Sequence, residues 1–205
     1  MARKSNSESR RTEIVRALQT VMARHGYEKA TIQAIAAEAG LAPGLLHYHF
    51  KSKQEILVSL VTTLADYGQQ RFAQLVSDID DDPALRLRAY IDARLGLGLG
   101  AAPEIVAAWV MIGAEAVRQP EVREAFQRAV VVELDLLTGL LTDCLRQQGR
   151  QEAGARRLAA GVLALTEGAY QLACAAHEIM PKGYAADAAL RYAMLGIEAT
   201  GQNGK

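Results

Sequence analysis

The chain has 205 residues, 50% of them hydrophobic and 22% charged, a composition that is typical of a globular protein and excludes a disordered or fibrous one. Lys and Arg number 23, as do Asp and Glu, so the net charge is zero. Residues 1–53 nevertheless hold nine basic and four acidic side chains, a net charge of +5, and the remainder carries −5. This asymmetry favours a small nucleic-acid-binding module joined to an acidic body, although a solvated basic face without a partner has the same composition.

The cysteines and the polar N-terminus indicate the compartment. Cys144 and Cys174 stand thirty positions apart in apolar sequence without a CxxC pairing, which predicts buried free thiols in a reducing compartment, so we expect the cytoplasm. The first thirteen residues are mostly polar and do not resemble a signal peptide. The most membrane-like window, 161–180, is interrupted by polar and acidic residues, and we interpret it as a helix buried between protein surfaces, with no membrane partner.

Two helices are predicted within the first forty residues. From Glu13 onward, apolar residues recur at steps of three and four until Gly26, a residue that commonly ends helices. A second, short helix begins near Thr31, which is a good N-cap, and ends at Gly40.

A third and a fourth helix follow directly. Pro43 suits the first position of the third helix, where its missing amide hydrogen would have no partner. Ser52 and Glu55 form a capping box that opens a fourth helix over residues 52–76. The order of helix, short helix, tight turn and short helix is the one that a helix-turn-helix requires.

The third helix is predicted to have a buried and an exposed face. Leu46 and Phe50 are four residues apart, so both can pack inward together with Leu41. The opposite face presents Ala42, Pro43, Leu45, His47 and Tyr48, and Gly44 leaves room for another backbone. We interpret this face as a surface for a partner.

The histidines of this helix do not predict a metal or catalytic site. His47 and His49 would lie about 200° apart around a helix, so their rings diverge and cannot chelate one ion. The segment also lacks a Ser or Cys beside a base, as a nucleophilic site needs. For His49, packing between helices explains its presence as well as a partner contact does.

The rest of the chain is also predicted to be helical. Prolines and a Pro-Lys-Gly turn divide it into five segments of helical length, and residues 96–103 are predicted to form a loop. These segments are 83–97, 103–118, 120–148, 152–178 and 184–200. We therefore expect an all-α protein of about nine helices.

The stretch TIQAIAAEAGLAPGLLHYHFKSKQEIL, residues 31–57, resembles the DNA-binding segment of the TetR-type transcriptional regulators. The shared features are a Thr-led helix, a Gly-containing turn, an aromatic-rich recognition helix and a Phe-Lys-x-Lys exit. The resemblance implies an all-helical homodimer that binds operator DNA and releases it when a small molecule fills a pocket in the C-terminal domain. It divides the chain into a helix-turn-helix domain, residues 1–53, a connecting fourth helix, and an effector-binding and dimerisation domain, residues 54–205.

The resemblance also assigns roles to individual residues. Thr31 matches a phosphate-contacting threonine, His47 matches the aromatic that reaches DNA, and Tyr48 and Lys53 match backbone contacts. The implied DNA-binding set is Thr31, Ala42, Pro43, Gly44, Leu45, His47, Tyr48 and Lys53. Ala42 and Leu45 depart from the family pattern. The family often has Ser or Thr at the position of Ala42, so the third helix lacks a capping side chain here, and it often has Thr at the position of Leu45. Leu45 suits contact with a thymine methyl group, and DNA shape then supplies part of the specificity.

The last two helices carry small and apolar residues, among them Ala160, Leu172 and Leu195, which suit either a dimer interface or burial within the chain. The resemblance implies that this helix pair forms the homodimer's four-helix bundle.

An effector pocket is predicted from aromatic and acidic residues on apolar helices: Tyr67, Tyr90, Trp109, Glu115, Glu167 and Tyr170, with Met111 and Glu133 as further candidates. Residues 108–120 and 166–170 are similar to parts of the choline-responsive branch of the family. Aromatic faces beside carboxylates suit a cationic effector, although Trp109 also suits a core position.

We therefore expect a ligand-responsive repressor that binds a palindromic operator, without cofactor, metal or catalytic residues. The alternatives are an all-helical enzyme with the aromatic and acidic pocket as its active site, and an architectural DNA-binding protein without an effector. The scattered polar residues beyond residue 66 argue against the enzyme.

Overall fold

The structure, a computed structural model, describes residues 2–79, 81–96 and 100–201, and of residues 2–6 it describes the backbone alone. Over these residues the chain is all-α, as predicted, with nine α-helices and one turn of 3-10 helix. The helices are α1 (Ala2–His25), α2 (Ile32–Glu38), α3 (Pro43–His49), α4 (Lys53–Val76), α5 (Pro83–Leu95), α6 (Pro103–Arg118), α7 (Pro120–Gln147), the 3-10 turn (Glu152–Gly154), α8 (Ala155–Ala175) and α9 (Tyr184–Ala199). The predicted loop over 96–103 includes residues 97–99, which lie outside the described residues.

Helix α1 begins earlier than its apolar periodicity indicates. The pattern starts at Glu13, but the helix starts at Ala2. The added residues are mostly polar in sequence, and Glu8, Ser9 and Arg10 are exposed. Contacts between side chains on one helix face support this part of α1, such as the Arg10–Glu13 ion pair at 2.6 Å and the Ser9–Glu13 hydrogen bond at 3.2 Å. A solvated extension of this kind has no apolar face, so periodicity cannot detect it.

The predicted caps of the short helices are confirmed. The Thr31 hydroxyl accepts a hydrogen bond from the Ala34 amide at 3.1 Å and so caps α2. Gly40 has a φ of +66°, and beyond it the Leu41 amide donates to the Ala36 carbonyl at 2.8 Å. The left-handed backbone conformation at Gly40 has a low conformational energy only for glycine. This turn sets the direction in which the chain continues from α2 to α3.

The capping box at the start of α4 is confirmed in part. The Ser52 hydroxyl accepts from the Glu55 amide at 3.1 Å, as predicted. The Glu55 carboxylate, however, accepts from the Lys51 amide at 2.8 Å, one residue earlier than the reciprocal bond of the motif.

Helix α8 is shorter than the predicted segment 152–178. Its α-helical hydrogen bonding begins at Ala155 and ends at Ala175, and Ala176 has a non-helical φ of −147°. The residues after it continue an apolar pattern while forming a turn towards Gly183, so sequence periodicity extends the helix past its real end.

The chain forms two compact units. The first consists of residues Met1–Ala65 and Glu104–Gln127, and the second of Asp66–Pro103 and Arg128–Lys205. Helix α6 therefore belongs, apart from Pro103, to the same compact unit as the helix-turn-helix. The functional division into residues 1–53 and 54–205 is a different kind of boundary and stays a prediction.

Each unit buries its own apolar core. In the first, the fully buried side chains come mainly from α1 to α4 and include Ile14, Leu18, Met22, Ile35, Leu46, Phe50, Ile56 and Leu60, and α6 adds Ala108 and Ile112. In the second, the core lies between α5, α7, α8 and α9 and includes Leu87, Tyr90, Leu137, Leu141, Val162, Ala193 and Ile197.

Glycines allow α8 and α9 to approach each other closely. A Cβ atom on Gly161 would lie 2.0 Å from the Tyr192 hydroxyl, and one on Gly196 would lie 2.3 Å from a Leu158 methyl carbon. Because neither position has room for a side chain, the two helices pack as one unit and direct their other faces outward.

The two cysteines differ in environment. Cys144 is buried, as predicted, and burial raises the pKa of its thiol to about 11. The prediction that Cys174 is buried is wrong, because it lies on the exposed side of α8. Within the part of the chain that the structure describes, Glu152–Ala175 is long and apolar enough to cross a membrane, a criterion that helices at protein interfaces also satisfy.

The first prediction concerns the cap of α5. The Asp82 carboxylate accepts from the Ala84 amide at 2.8 Å and the Leu85 amide at 3.3 Å. Asp82→Ala should lower the free energy of unfolding by about 1 kcal/mol because these amides lose their partner. Asp81→Ala, next in the chain, is the matched control, since Asp81 makes an exposed ion pair with Arg86. Urea unfolding at one protein concentration measures both, and equal losses would contradict the capping role.

Candidate nucleic-acid interface and buried ion pair

Helix α3 presents a continuous exposed face. As predicted, Leu46 and Phe50 are buried, with 0% and 1% exposure, and Leu41 is half-buried. The residues predicted to meet DNA are exposed: Ala42, Pro43, Gly44, Leu45, His47 and Tyr48. Ala42 is the N-cap of α3 and makes no side-chain cap hydrogen bond. Leu45 and Tyr48 are 44% and 78% exposed, so the face offers apolar and aromatic surface together with one imidazole.

Arginine 11 fixes the end of α3. Its guanidinium donates to the His49 carbonyl, lies 3.9 Å from the centre of the Phe50 ring and pairs with Glu55 at 3.5 Å. His49 is half-buried and packs edge-on against Tyr48, with ring centres 5.1 Å apart. His49 is thus partly buried, and both interpretations, packing between helices and contact with DNA, stay predictions.

Lysine 53 has an internal partner that the sequence did not indicate. Its ammonium donates to the Tyr27 carbonyl at 2.9 Å and lies 4.1 Å from the centre of the Tyr27 ring. Lys53 thus ties the start of α4 to the turn after α1. If this ammonium also contacts a DNA phosphate, the phosphate contact is made either in addition to the Tyr27 contacts or in place of them.

The described residues contain no group of three or more His, Cys, Asp or Glu side chains placed to hold a metal ion. His47 and His49 are both on α3, where their spacing directs them to different sides.

The second unit contains a buried ion pair between α5 and α7. Arg94 is 8% exposed, and its Nη2 atom lies 2.6 Å and 2.7 Å from the two carboxylate oxygens of Glu133. The Tyr90 hydroxyl donates to the same carboxylate at 2.8 Å. Removing one member of such a pair commonly costs about 3–5 kcal/mol, because the other charge stays buried without a partner.

The same arginine contacts two further helices. Its Nη1 atom donates to the Gly68 carbonyl of α4 at 2.6 Å, and its own carbonyl accepts from the Tyr170 hydroxyl of α8 at 3.4 Å. The guanidinium carbon lies 4.9 Å from the centre of the Tyr90 ring. Arg94 therefore connects four helices of the second unit.

The electrostatics of this cluster keep Arg94 charged and the tyrosines neutral. Burial lowers the pKa of Arg94, but Glu133, Tyr90 and Tyr170 together raise it by more, so the net shift is upward. Burial, assisted by Glu133, raises the pKa of Tyr90 well above its usual range. Burial also raises the pKa of Tyr170, with Glu167 and Glu133 contributing in the same direction. The cluster is thus an acid–cation pair lined by neutral phenols.

The predicted effector residues divide between the two units. Tyr90 and Tyr170 lie in the second unit around Arg94, and Glu167 is close enough to act on the pKa of Tyr170. Tyr67, also in this unit, lies 5.9 Å from the Arg71 guanidinium, measured from its ring centre.

Trp109 and Glu115 belong to the first unit. Trp109 is half-buried and packs on Phe126, with ring centres 4.8 Å apart. Glu115 is buried, and it accepts from Arg118, the last residue of its own helix, and from the following Gln119, both at 2.7 Å.

Arg94 was not among the predicted site residues. It lies four positions after Tyr90, so a helix places both on one face, and Leu87 and Ile91 show that this face is buried. An arginine in register with a buried face requires a buried acid as partner, and that is the signal that could have identified it.

Comparisons with known proteins agree with this architecture. A family profile described as bacterial regulatory proteins of the tetR family matches residues 14–60, and one described as BetI-type transcriptional repressor, C-terminal, matches residues 83–196. The chain belongs to the tetR family of bacterial regulatory proteins.

Similar proteins extend the match to most of the chain. The transcriptional regulator BetI of Agrobacterium fabrum is 30% identical over 162 residues, which cover 78% of this chain and 75% of that protein. BetI of Rhizobium meliloti is 29% identical over 171 residues, covering 78% and 76%. A solved structure described as a transcriptional regulator from Saccharomonospora viridis in complex with choline has a TM-score of 0.76 at 23% identity, covering 94% of this chain and 97% of that one.

This tetR-family member is a DNA-binding, ligand-responsive transcriptional regulator and not an enzyme. Members of the family bind DNA as dimers and respond to small-molecule effectors. The resemblance seen in residues 31–57 is therefore confirmed, while the roles of individual residues stay predictions.

The second prediction separates the two faces of α3. Leu45→Ala should leave stability nearly unchanged, because Leu45 is exposed, but should change the preference among operator sequences. Leu46→Ala, one position on, should lower the free energy of unfolding by about 2–5 kcal/mol because it leaves a cavity. Urea unfolding and mobility-shift titration on a panel of duplexes, each at several salt concentrations, measure these effects. If Leu45→Ala left sequence preference unchanged, the placement of α3 on DNA would be wrong.

Proposed function

We propose that the protein is a cytoplasmic repressor that binds a palindromic operator as a homodimer and leaves it when a cationic small molecule binds. The exposed face of α3 is the observation that carries the operator proposal. Leu45, His47 and Tyr48 are exposed there while Leu46 and Phe50 hold the helix in place. Such a helix suits the major groove, with Leu45 and His47 towards base edges and Thr31, Tyr48 and Lys53 towards phosphates.

The proposed dimer interface is the outer face of α8 and α9. This face combines exposed small residues, such as Ala160, with large apolar ones, including Leu172, Tyr192 and Leu195 at 39%, 39% and 58% exposure. On the same two helices, Ala159, Val162 and Ala189 are buried within the chain and belong to its own core. A two-fold interface brings the same patch of both subunits together, which suits a flat helix pair.

The third prediction tests this interface. Ala160→Glu should split the dimer and abolish operator binding together, because two recognition helices must reach successive major grooves, while helical content stays intact. Ala73→Glu, at an exposed alanine of α4, is the matched control and should keep the dimer. Sedimentation equilibrium, circular dichroism and mobility shift provide the three measurements. If the parent protein sediments as a monomer at micromolar concentration, the homodimer proposal is wrong.

The effector proposal rests on the chemistry of the second unit. Tyr90 and Tyr170 offer aromatic rings, and Glu133 and Glu167 offer carboxylates near them. Glu133 already accepts from Tyr90 and Arg94, and Glu167 is half-buried. Carboxylates and aromatic faces both attract cations. The S. viridis protein solved with choline has the same fold, so choline is the first compound to test.

The fourth prediction concerns Glu167. Choline should raise the melting temperature and weaken operator binding, and Glu167→Gln should reduce both effects without changing operator affinity in the absence of choline. Release requires that the ligand favour a state with poor affinity for DNA, since equal affinity for both states shifts nothing. Glu124→Gln, an exposed glutamate on α7, is the control, and thermal shift and mobility shift are the measurements. An effector screen that yields only anionic or fatty-acyl compounds would contradict the cationic effector and leave the repressor proposal intact.

A further inference from the structure

The most unusual feature of the second unit is that its aromatic and acidic cluster already contains a cation. The Arg94 guanidinium lies over the Tyr90 ring at 4.9 Å and contacts both oxygens of Glu133 at 2.6 Å and 2.7 Å. An aromatic face and a carboxylate are the two groups that an organic cation would use. In this conformation, the protein's own side chain satisfies both.

The guanidinium also holds α4. Its Nη1 atom donates to the Gly68 carbonyl at 2.6 Å, and α4 is the helix that continues from the helix-turn-helix into the second unit. A Cβ atom at Gly68 would lie 3.1–3.3 Å from the guanidinium carbon and nitrogens. A side chain at position 68 would therefore require the guanidinium to shift by a few tenths of an ångström, whereas glycine, otherwise a poor residue for a helix interior, leaves it in place.

The Glu133 carboxylate is already paired with Arg94 and cannot neutralise a second buried cation at the same time. A ligand cation that reaches Glu133 and the Tyr90 face would place a second positive charge beside Arg94, which is 8% exposed. Bringing like charges together at low dielectric is unfavourable, so the arginine has to leave when such a ligand enters. Its departure also breaks the bond to the Gly68 carbonyl.

We infer that Arg94 is an internal competitor of the effector: it occupies the cation position between Tyr90 and Glu133, ties α4 through Gly68, and is displaced by the cationic group of the ligand. This inference rests on the proposed cationic effector and adds how its binding is sensed. The apparent dissociation constant of the ligand equals its intrinsic value divided by the fraction of molecules in which Arg94 has left the cation position. Removing the Arg94 guanidinium raises that fraction to one and therefore tightens ligand binding.

Arg94→Met tests this with choline as the probe. The substitution keeps an apolar stem and removes the guanidinium. In isothermal titration, choline should bind at least about tenfold more tightly than to the parent protein, because nothing has to be displaced. Operator affinity without choline should fall, because α4 loses its tie. A merely structural arginine predicts unchanged or weaker choline binding, so the opposite signs of the two changes are the diagnostic result.

Gly68→Ala provides a second variant that keeps every charge. Alanine favours the helix, and its methyl group crowds the guanidinium, so choline affinity should rise, by less than in Arg94→Met. Glu133→Gln should lower choline affinity, because it removes the carboxylate that both cations use. Arg88→Met is the matched control on the same helix, since Arg88 makes an exposed pair with Asp92 at 3.6 Å; it should change neither binding constant.

The outcomes separate this inference from the proposed function. Choline binding that is equal or weaker in both Arg94→Met and Gly68→Ala would overturn the competitor, even if choline releases the parent from its operator. Binding to Arg94→Met but not to the parent would support the competitor and exclude choline as the natural effector. Absence of choline binding to all of these proteins would overturn the competitor and the choline effector together, and would leave the operator-binding proposal intact. If Arg94→Met does not fold, Gly68→Ala decides by the sign of its change.

Discussion

Helix α3 depends on burial, because it is too short to be stable alone. Helix α3 has seven residues, and isolated helices of that length are not stable in water. Leu46 and Phe50 supply the missing stability by packing into the first unit, and Arg11 fixes the helix end through the His49 carbonyl. Since these two anchors occupy one face, the positions between and before them point outward. The burial of Leu46 and Phe50 thus both stabilises α3 and turns its opposite face, which is proposed to contact DNA, towards solvent.

The second unit solves a different problem with a buried charge. Replacing a buried ion pair with apolar residues is often neutral or stabilising, so stability alone does not explain why Arg94 and Glu133 occupy the core. The pair does provide directional bonds, which join α4, α5 and α7 in one arrangement. Apolar contacts lack this directionality. In the proposed competition, α4 is held by the hydrogen bond from Arg94 to the Gly68 carbonyl, and breaking this one bond is enough to release it.

Local chemistry made much of the fold predictable. Thr31, Gly40 and Pro43 act within a few residues of themselves, and the structure uses each as its sequence context indicates. Apolar spacing likewise located the inward face of α3. It failed where helices lack an apolar face, as at the start of α1, and where apolar spacing continues into a turn, as after Ala175.

The candidate sites were less predictable because they depend on distant contacts. The Arg94 and Glu133 side chains are 39 residues apart in sequence, and the Lys53 ammonium meets a carbonyl 26 residues away. A single sequence shows that these residues are charged, but not which partners they meet. Trp109 and Glu115 illustrate the same limit, since their residue types suit a ligand pocket, yet their contacts include Phe126 and Arg118.

Coupling between effector and operator requires a ligand that distinguishes two states of the protein, and the coupling is reciprocal. Competition for one carboxylate is a sufficient source of that distinction. The Arg94 guanidinium and a ligand cation exclude each other at Glu133, and only the guanidinium donates to the Gly68 carbonyl of α4. The proposed ligand-bound state is therefore also the state in which α4 has lost the hydrogen bond from Arg94 to the Gly68 carbonyl. Bound operator, by favouring the tied state, would in turn lower ligand affinity by the same factor.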